Sequence, residues 1–384
     1  ITSPHLTGSI NAKYSVKAGK DANLDLTSKF SHGDVQHASF YYPTILGEQT
    51  LHWLDTSIKK GVLKDVDVRI KGNLADFPFV NKNNQPDSKL GIFKASAQLS
   101  NALLDYGAGW PVIEGLNLSM LFTGTRMELN ASAGNMLGNK IIKSSAVIKQ
   151  LDAQNPILTV VSEVQGNIAD GIKYVNNSPI KSSTQGFTDS LLTAGKGHLL
   201  LTLKIPLENV DATNLTGAYK VSNGIIYANE QIGLPELNNI NGTLNFTESN
   251  LNAQNISAEV FGSPAKFSLK TQANKGIVIS AYGRVNDASI KKLAPNIVTN
   301  SLQGSADWAS EISVRAPLID ISLKSNLVGM AITLPAPFNK AANEAMSLSL
   351  DKKQVSLDKD SVTLNLGKIF SANILRSALT NDLI

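Results

Sequence analysis

Apolar and polar residues alternate with a period of two through most of the chain. Val66, Val68 and Ile70 alternate with Asp65, Asp67, Arg69 and Lys71. Leu116, Leu118, Met120 and Phe122 recur two apart, as do Leu199, Leu201, Leu203 and Ile205. Phe267 and Leu269 stand against Lys266, Ser268 and Lys270, and Ile277 and Ile279 continue the pattern. Val362, Leu364 and Leu366 close it. Successive side chains of a strand point to opposite faces, so each run predicts a strand with one apolar and one wet face. That is the pattern of antiparallel pairing. The fold class expected is mainly β, a long antiparallel meander with a few short helices.

The breaks between runs carry turn chemistry. Ser222-Asn223-Gly224, Asn241-Gly242, Asn274-Lys275-Gly276 and the span from Asn135 to Asn139 read as hairpin turns, because Asn and Gly tolerate positive φ. The chain holds 36 Asn, more than its 31 acidic residues, so many short connections are expected. Leu51, Leu54 and Ile58 are spaced for one helix over 47–60, with Gly61 at its C′ position. Asp287 reads as the N-cap of a second helix to Leu293, ended by Pro295. A third is expected over 167–175. The polar stretches 81–89 and 176–186 read as loops, the latter as a weak break. No tandem repeat with matched side chains is recognised.

Several function classes drop out. Lys plus Arg number 35 and the net charge is +4, which does not suit a nucleic-acid binder. There is no cysteine, hence no disulfide scaffold, thiolate zinc site or Cys nucleophile. P-loop, G-x-G-x-x-G, G-x-S-x-G and H-E-x-x-H patterns are absent. Histidines are scattered; His32, Asp34 and His37 stand close in sequence, and a polar turn explains them better than a metal. Asp307 beside Trp308 reads as a packed aromatic at a strand start. No catalytic residue, metal ligand or cofactor is therefore assigned. Ile1 is not an initiator Met and no charged-then-apolar leader follows, so the chain reads as an internal piece of a longer protein.

What the sequence holds in quantity is apolar sheet face. Alternation alone leaves two readings open. In one, a sandwich or barrel lets the apolar faces cover each other. In the other, a long curved sheet keeps its apolar side open. The first is the commoner arrangement.

A series of local motifs, in order, bears on that choice. It begins with Tyr41-Tyr42-Pro43 and Trp53-Leu54-Asp55, then Gly72-Asn73-Leu74-Ala75-Asp76-Phe77-Pro78-Phe79. Asp105-Tyr106-Gly107-Ala108-Gly109-Trp110-Pro111 and Asn177-Ser178-Pro179-Ile180 follow. Next come Gly242-Thr243-Leu244-Asn245-Phe246-Thr247-Glu248 and Val260-Phe261-Gly262-Ser263-Pro264-Ala265. Leu302-Gln303-Gly304-Ser305-Ala306-Asp307-Trp308 leads to Leu334-Pro335-Ala336-Pro337-Phe338-Asn339-Lys340. Together they resemble the YhdP family of AsmA-like envelope proteins of Gram-negative bacteria, across nearly the whole chain. Phe338 departs from the Leu more usual there.

The resemblance implies an elongated, groove-like (taco-shaped) sheet, of which residues 1–384 would be a continuous internal part. It implies a periplasmic setting within a protein anchored in the inner membrane. The implied function is a passive conduit for phospholipid between inner and outer membranes, supporting the outer-membrane barrier, with no enzymatic activity. The implied partners are phospholipid acyl chains, the two membranes through other parts of the protein, and envelope proteins. The lipid-facing residues expected are Val66, Val68, Ile70, Leu116, Leu118, Met120, Phe122, Leu199, Leu201, Leu203, Ile205, Phe267, Leu269, Ile277 and Ile279. The alternative is an envelope scaffold that binds protein partners at a sheet edge without lipid.

Overall fold

The computed structural model describes residues 2–16, 21–37, 56–184, 187–229, 234–273, 276–315, 318–356 and 358–377. Twenty strands form one antiparallel sheet. The first eight are β1 (Leu6–Ser15), β2 (Asn23–Asp34), β3 (Ile58–Asn73), β4 (Gly91–Leu104), β5 (Ile113–Thr123), β6 (Arg126–Met136), β7 (Asn139–Ile148) and β8 (Ile157–Asn167). β9 (Thr193–Pro206) pairs with β10 (Asn214–Ile226). Then come β11 (Leu237–Thr247), β12 (Leu251–Val260), β13 (Ser263–Gln272), β14 (Gly276–Asn286), β15 (Leu302–Arg315), β16 (Leu318–Ser325), β17 (Met330–Ile332), β18 (Leu348–Gln354), β19 (Lys359–Leu366) and β20 (Phe370–Ser377).

From β1 to β8, each strand pairs antiparallel with the next. The same holds from β11 to β16. β17 departs from the meander: it pairs with the start of β15, while β18 takes the place beside β16. Among the described residues no pairing joins β1 to β20, so the sheet is not closed into a barrel. The expected fold class is what the structure shows.

The chain divides into two compact units. The first holds residues 1–166 and 199–217, the second 167–198 and 218–384. In the first, Leu99, Ala102, Leu116 and Val35 form a buried cluster, against which Ile113 and Leu118 pack. In the second, Trp308 packs with Val260, Ala265 and Ala281, and a separate cluster gathers Ala306, Leu327, Met330 and Ile332.

The helices are few and short. α1 (Ile168–Asn176) starts where expected, with Asn167 as N-cap and Asp170 Oδ2 accepting from the Asn167 backbone N–H at 3.4 Å. It docks through Gly171, where a Cβ would lie 3.1 Å from the Tyr219 hydroxyl. α2 (Lys181–Thr184) puts one helical turn into a stretch read as loop. α3 (Asp287–Leu293) is capped by Asn286, whose side chain accepts from the Ser289 N–H at 2.8 Å, so the cap falls one residue before Asp287. α4 (Ile297–Asn300) follows. The helix expected over 47–60 lies largely outside the described residues. Of its described residues Thr56 and Ser57 are helical, and the helix stops there: Ile58 opens β3, and Gly61 sits inside that strand at φ +147°. A Cβ there would lie 2.9 Å from Leu99 Cδ1, so the glycine serves close approach of β3 to β4 and ends no helix.

Two of the Asn-Gly signals are corrected in the same way. Asn223-Gly224 lies inside β10 and Asn241-Gly242 inside β11. Asn223 and Asn239 have φ near +49° within their strands. They are bulges, as are Asp65 in β3, Asn101 in β4 and Asn255 in β12; the ladders shift register beside Asp65, Asn101, Asn239 and Asn255. Asn tolerates left-handed backbone in a strand as it does in a turn, which is why the residue type misleads. The true hairpin corners include Leu137-Gly138 and Phe261-Gly262, all four at positive φ. Asn274 and Lys275 lie outside the described residues.

The bulges expose an internal repeat that the sequence reading does not recognise. In the first unit Asn101 N–H donates to Asn117 Oδ1 at 2.8 Å, with Gly115 at φ +60° two residues earlier. In the second, Asn223 N–H donates to Asn241 Oδ1 at 3.0 Å, with Asn239 at φ +49° two residues earlier. The flanking residues match: Pro111, Leu116, Met120, Phe122 and Thr123 correspond to Pro235, Ile240, Leu244, Phe246 and Thr247. Each bulge also resets the alternation, so that Leu99 and Ala102, three apart, reach one cluster.

Asn101→Gly is expected to leave stability nearly unchanged, whereas Asn101→Val should cost about 1–2 kcal/mol, the penalty of left-handed backbone for a residue with a branched Cβ. Asn117→Ala should cost about 1 kcal/mol for the lost acceptor. Urea unfolding of the three variants measures this; equal stability of the Gly and Val variants would contradict the bulge.

Candidate functional site

The strand registers identify which side chains share a face. In the first unit, Val68, Ala95, Phe122, Met127, Ile148 and Leu158 lie side by side across six strands, β3 to β8. A parallel row holds Ala97, Met120, Leu129, Ala146 and Val160. Ile70 stands between Leu26 and Phe93, and Val66 opposite Phe30. In the second unit, Ala253, Leu269, Ile279, Ile312 and Ile321 make one row, and Ile256, Phe267, Ala281, Ser310, Leu323, Leu350 and Leu364 the next.

The opposite faces are polar. Lys64, Gln98, Ser119, Asn130 and Ser145 form one such row in the first unit. Ser268, Ser280, Glu311, Ser322, Asp351, Thr363 and Asn373 form another in the second. Charges pair across strands there: Lys29 with Asp67 at 3.7 Å, and Arg69 with Asp25. The Arg69 guanidinium holds the Asp25 carboxyl below the usual carboxylate range.

The apolar rows are not sealed. In these rows Val66, Val68, Ile70, Leu118, Met120, Phe122, Phe267, Leu269, Ile277 and Ile279 are half-buried, and along β9 so are Leu199, Leu201, Leu203 and Ile205. Side chains this large, when trapped between two packed sheets, lose nearly all contact with water. Leu116 differs: it is 3% exposed and belongs to the packed core of the first unit. Leu118 and Phe267 rest against core clusters with part of their surface free. Sequence reasoning missed Leu26, Phe30, Phe93, Met127 and Leu129 on the same face, although Leu24, Leu26 and Phe30 alternate in β2 and could have been read.

A concavity of about 620 Å³ lies between α1 and the ends of β9 and β10, lined by Ala169, Ile172, Lys173, Leu191, Leu192 and Tyr227 among others. Thr193, also in its wall, buries its Oγ1 without a hydrogen-bond partner.

Asp34 and His37 meet as their proximity in sequence allowed, with His37 Nδ1 3.0 Å from Asp34 Oδ2. Their third neighbour is His5, brought in by the β1–β2 pairing, and not His32. The His5 and His37 rings stack at 3.5 Å. Hydrogen bonds from the Gln36 N–H and from His37 lower the Asp34 pKa. Three such groups could hold a cation, but the ring stacking and the His37–Asp34 hydrogen bond already account for their arrangement. Lys340 is 4% exposed and donates to the Met330 and Ala341 carbonyls at 2.8 Å each, pinning a loop; burial pushes its pKa down.

Comparisons with known proteins bear on this arrangement. No solved structure matches the chain. It is 22% identical over 347 residues to the intermembrane phospholipid transporter YhdP of Escherichia coli (strain K12), an alignment that covers 88% of this chain and 26% of that protein. The chain thus spans about a quarter of the length of the curated relative it matches. The family profile described as YhdP protein matches residues 1–382, so the sheet with its two unlike faces belongs to a member of the YhdP family.

Proposed function

We propose that this chain is a stretch of a passive conduit along which phospholipid acyl chains pass through the periplasm, between inner and outer membrane, as part of a longer protein anchored in the inner membrane. The observation that carries the reading is the set of largely half-buried apolar rows, four of them continuous across five or more strands, backed by a polar face. The name of the E. coli relative supports the substrate class.

The energetics fit. Exposing one CH₂ to water costs about 0.8 kcal/mol, so a two-tailed phospholipid with about 30 such groups faces roughly 25 kcal/mol in bare water. A track of apolar side chains removes most of that cost and needs no chemistry, in keeping with a family relative named a transporter. In this reading the lining is formed by the fourteen half-buried residues named above, with Leu116 holding the sheet together beneath them.

The chain purified from an envelope and extracted with organic solvent should yield phospholipid by mass spectrometry; recovery of none would remove the proposal. Leu201→Asp should keep the circular-dichroism spectrum and lower the recovered lipid several-fold, because a carboxylate on the track must be desolvated by each passing tail. If that variant unfolds instead, position 201 is ordinary core. Leu116→Ala is expected to cost about 3 kcal/mol of stability, as core truncations do, while Met120→Ala costs about 1 kcal/mol or less. Equal losses would mean that the face around Met120 is covered.

A further inference from the structure

The apolar face of the second unit carries charge at one place. Following the registers from β12 to β20, its side chains are Ala, Val, Ile, Leu, Phe and Trp with occasional Ser, Thr or Gly as far as β16. Lys352 then stands in the row of Ile321, Val362 and Ile374. Asp360 and Arg376 stand one step along the same strands, paired with each other and with Gln354. No other charged residue occupies that face among the described residues of these strands.

The three groups form one cluster. Asp360 is 1% exposed. Arg376 grips it with two hydrogen bonds, Nε to Oδ1 at 2.6 Å and Nη2 to Oδ2 at 3.1 Å. Lys352 Nζ lies 3.4 Å from Asp360 Oδ2, with only 12% of its side chain exposed. The fork of Arg376 places one charge-assisted hydrogen bond on each carboxylate oxygen and neutralises the charge of Asp360. Lys352 is then a second cation against one anion, and 3.4 Å is longer than the 2.7–2.9 Å of a full charge-assisted hydrogen bond. A desolvated ammonium in excess needs an anionic partner. Immediately beside it run Leu323, Leu350 and Leu364, one pleat away on the same face.

We propose that Lys352, held by the Asp360–Arg376 pair, is a station for the phosphodiester of a glycerophospholipid whose tails lie on the neighbouring leucines. The cluster offers one net positive charge next to apolar surface, which matches an amphiphile with one negative charge joined to two hydrocarbon chains. Asp360 keeps the site from being a bare double cation: it orients both side chains and leaves a single charge to be neutralised. The proposal rests on the conduit reading above and adds the headgroup contact.

The test is equilibrium binding of the purified chain to tail-labelled phosphatidylglycerol and to a tail-labelled diacylglycerol with the same acyl chains, with inorganic phosphate as a competitor. The unaltered chain should bind phosphatidylglycerol about tenfold more tightly than the diacylglycerol, the factor that one charged hydrogen bond supplies. Lys352→Met should erase that preference and leave diacylglycerol binding and the melting curve unmoved, while Lys352→Arg should retain it. An undiminished preference in Lys352→Met overturns the proposal, leaving the cluster an ion pair that only fixes the register of β18 to β20. Displacement of the lipid by millimolar phosphate overturns it in favour of a free-anion site. Binding of neither lipid by the unaltered chain removes the conduit reading as well. Replacing all three residues together, Lys352→Met, Asp360→Leu and Arg376→Met, gives a second check that strands no buried charge: it too should bind both lipids alike.

Discussion

Every feature of the structure depends on one constraint: antiparallel pairing sends successive side chains to opposite faces and lines up those of adjacent strands. Once Val68 is opposite Ala95, the neighbours Phe122, Met127 and Ile148 are committed to the same side. Within each unit the sheet is thereby sorted into a greasy and a wet side. Its stability comes from strand pairing, from clusters such as Leu99, Ala102 and Leu116, and from cross-strand ion pairs on the wet side, each worth little alone. In the proposed conduit one face stays open and contributes less burial; in the first unit the core gathers where the bulge at Asn101 brings Leu99 and Ala102, three apart, into one cluster.

Some of the asparagines find their explanation in those bulges. Asn101, Asn223, Asn239 and Asn255 all take left-handed backbone inside strands. Asn117 and Asn241 then accept the N–H that the bulge leaves off the ladder. A turn and a bulge ask the same thing of the backbone, so residue type could not separate them; what separates them is whether the chain beyond reverses or runs on, and that is settled by pairing with a distant strand. The strands themselves were legible because period-two alternation is local. The repeat was not, because its matched positions are separated by 122 to 124 residues and its anchors are backbone conformations.

Legibility of the candidate site divides along the same line. Alternation tells which residues share a face, and fourteen of the fifteen proposed residues stand half-buried. Spacing groups Leu116 with Leu118 and Met120 on one side, but Leu116, beside Gly115 at φ +60° and a register shift, is 3% exposed and packs in the core of the first unit. Contacts that need long-range register were out of reach: His5 with Asp34 and His37 depends on β1 folding back on β2. Lys352, Asp360 and Arg376, eight and sixteen residues apart, meet only because β18, β19 and β20 pair in that register.

A track that moves lipid without an energy source must avoid deep wells along its length. Rows of Val, Ile, Leu, Met and Phe repeated at the strand spacing of about 4.8 Å satisfy this, because a tail that leaves one row gains nearly the same contact on the next. Directional bonds would break that evenness, and the apolar face from β12 to β16 has no charged side chain to form them. The cluster on β18 to β20 is the exception, and its composition limits its own depth. Asp360 takes up one of the two positive charges, so an arriving phosphate meets one net charge and competes with a carboxylate already in place. On the proposed reading, such a site favours a headgroup over plain hydrocarbon and still releases it, which is what a waypoint on a passive path requires and a storage site does not.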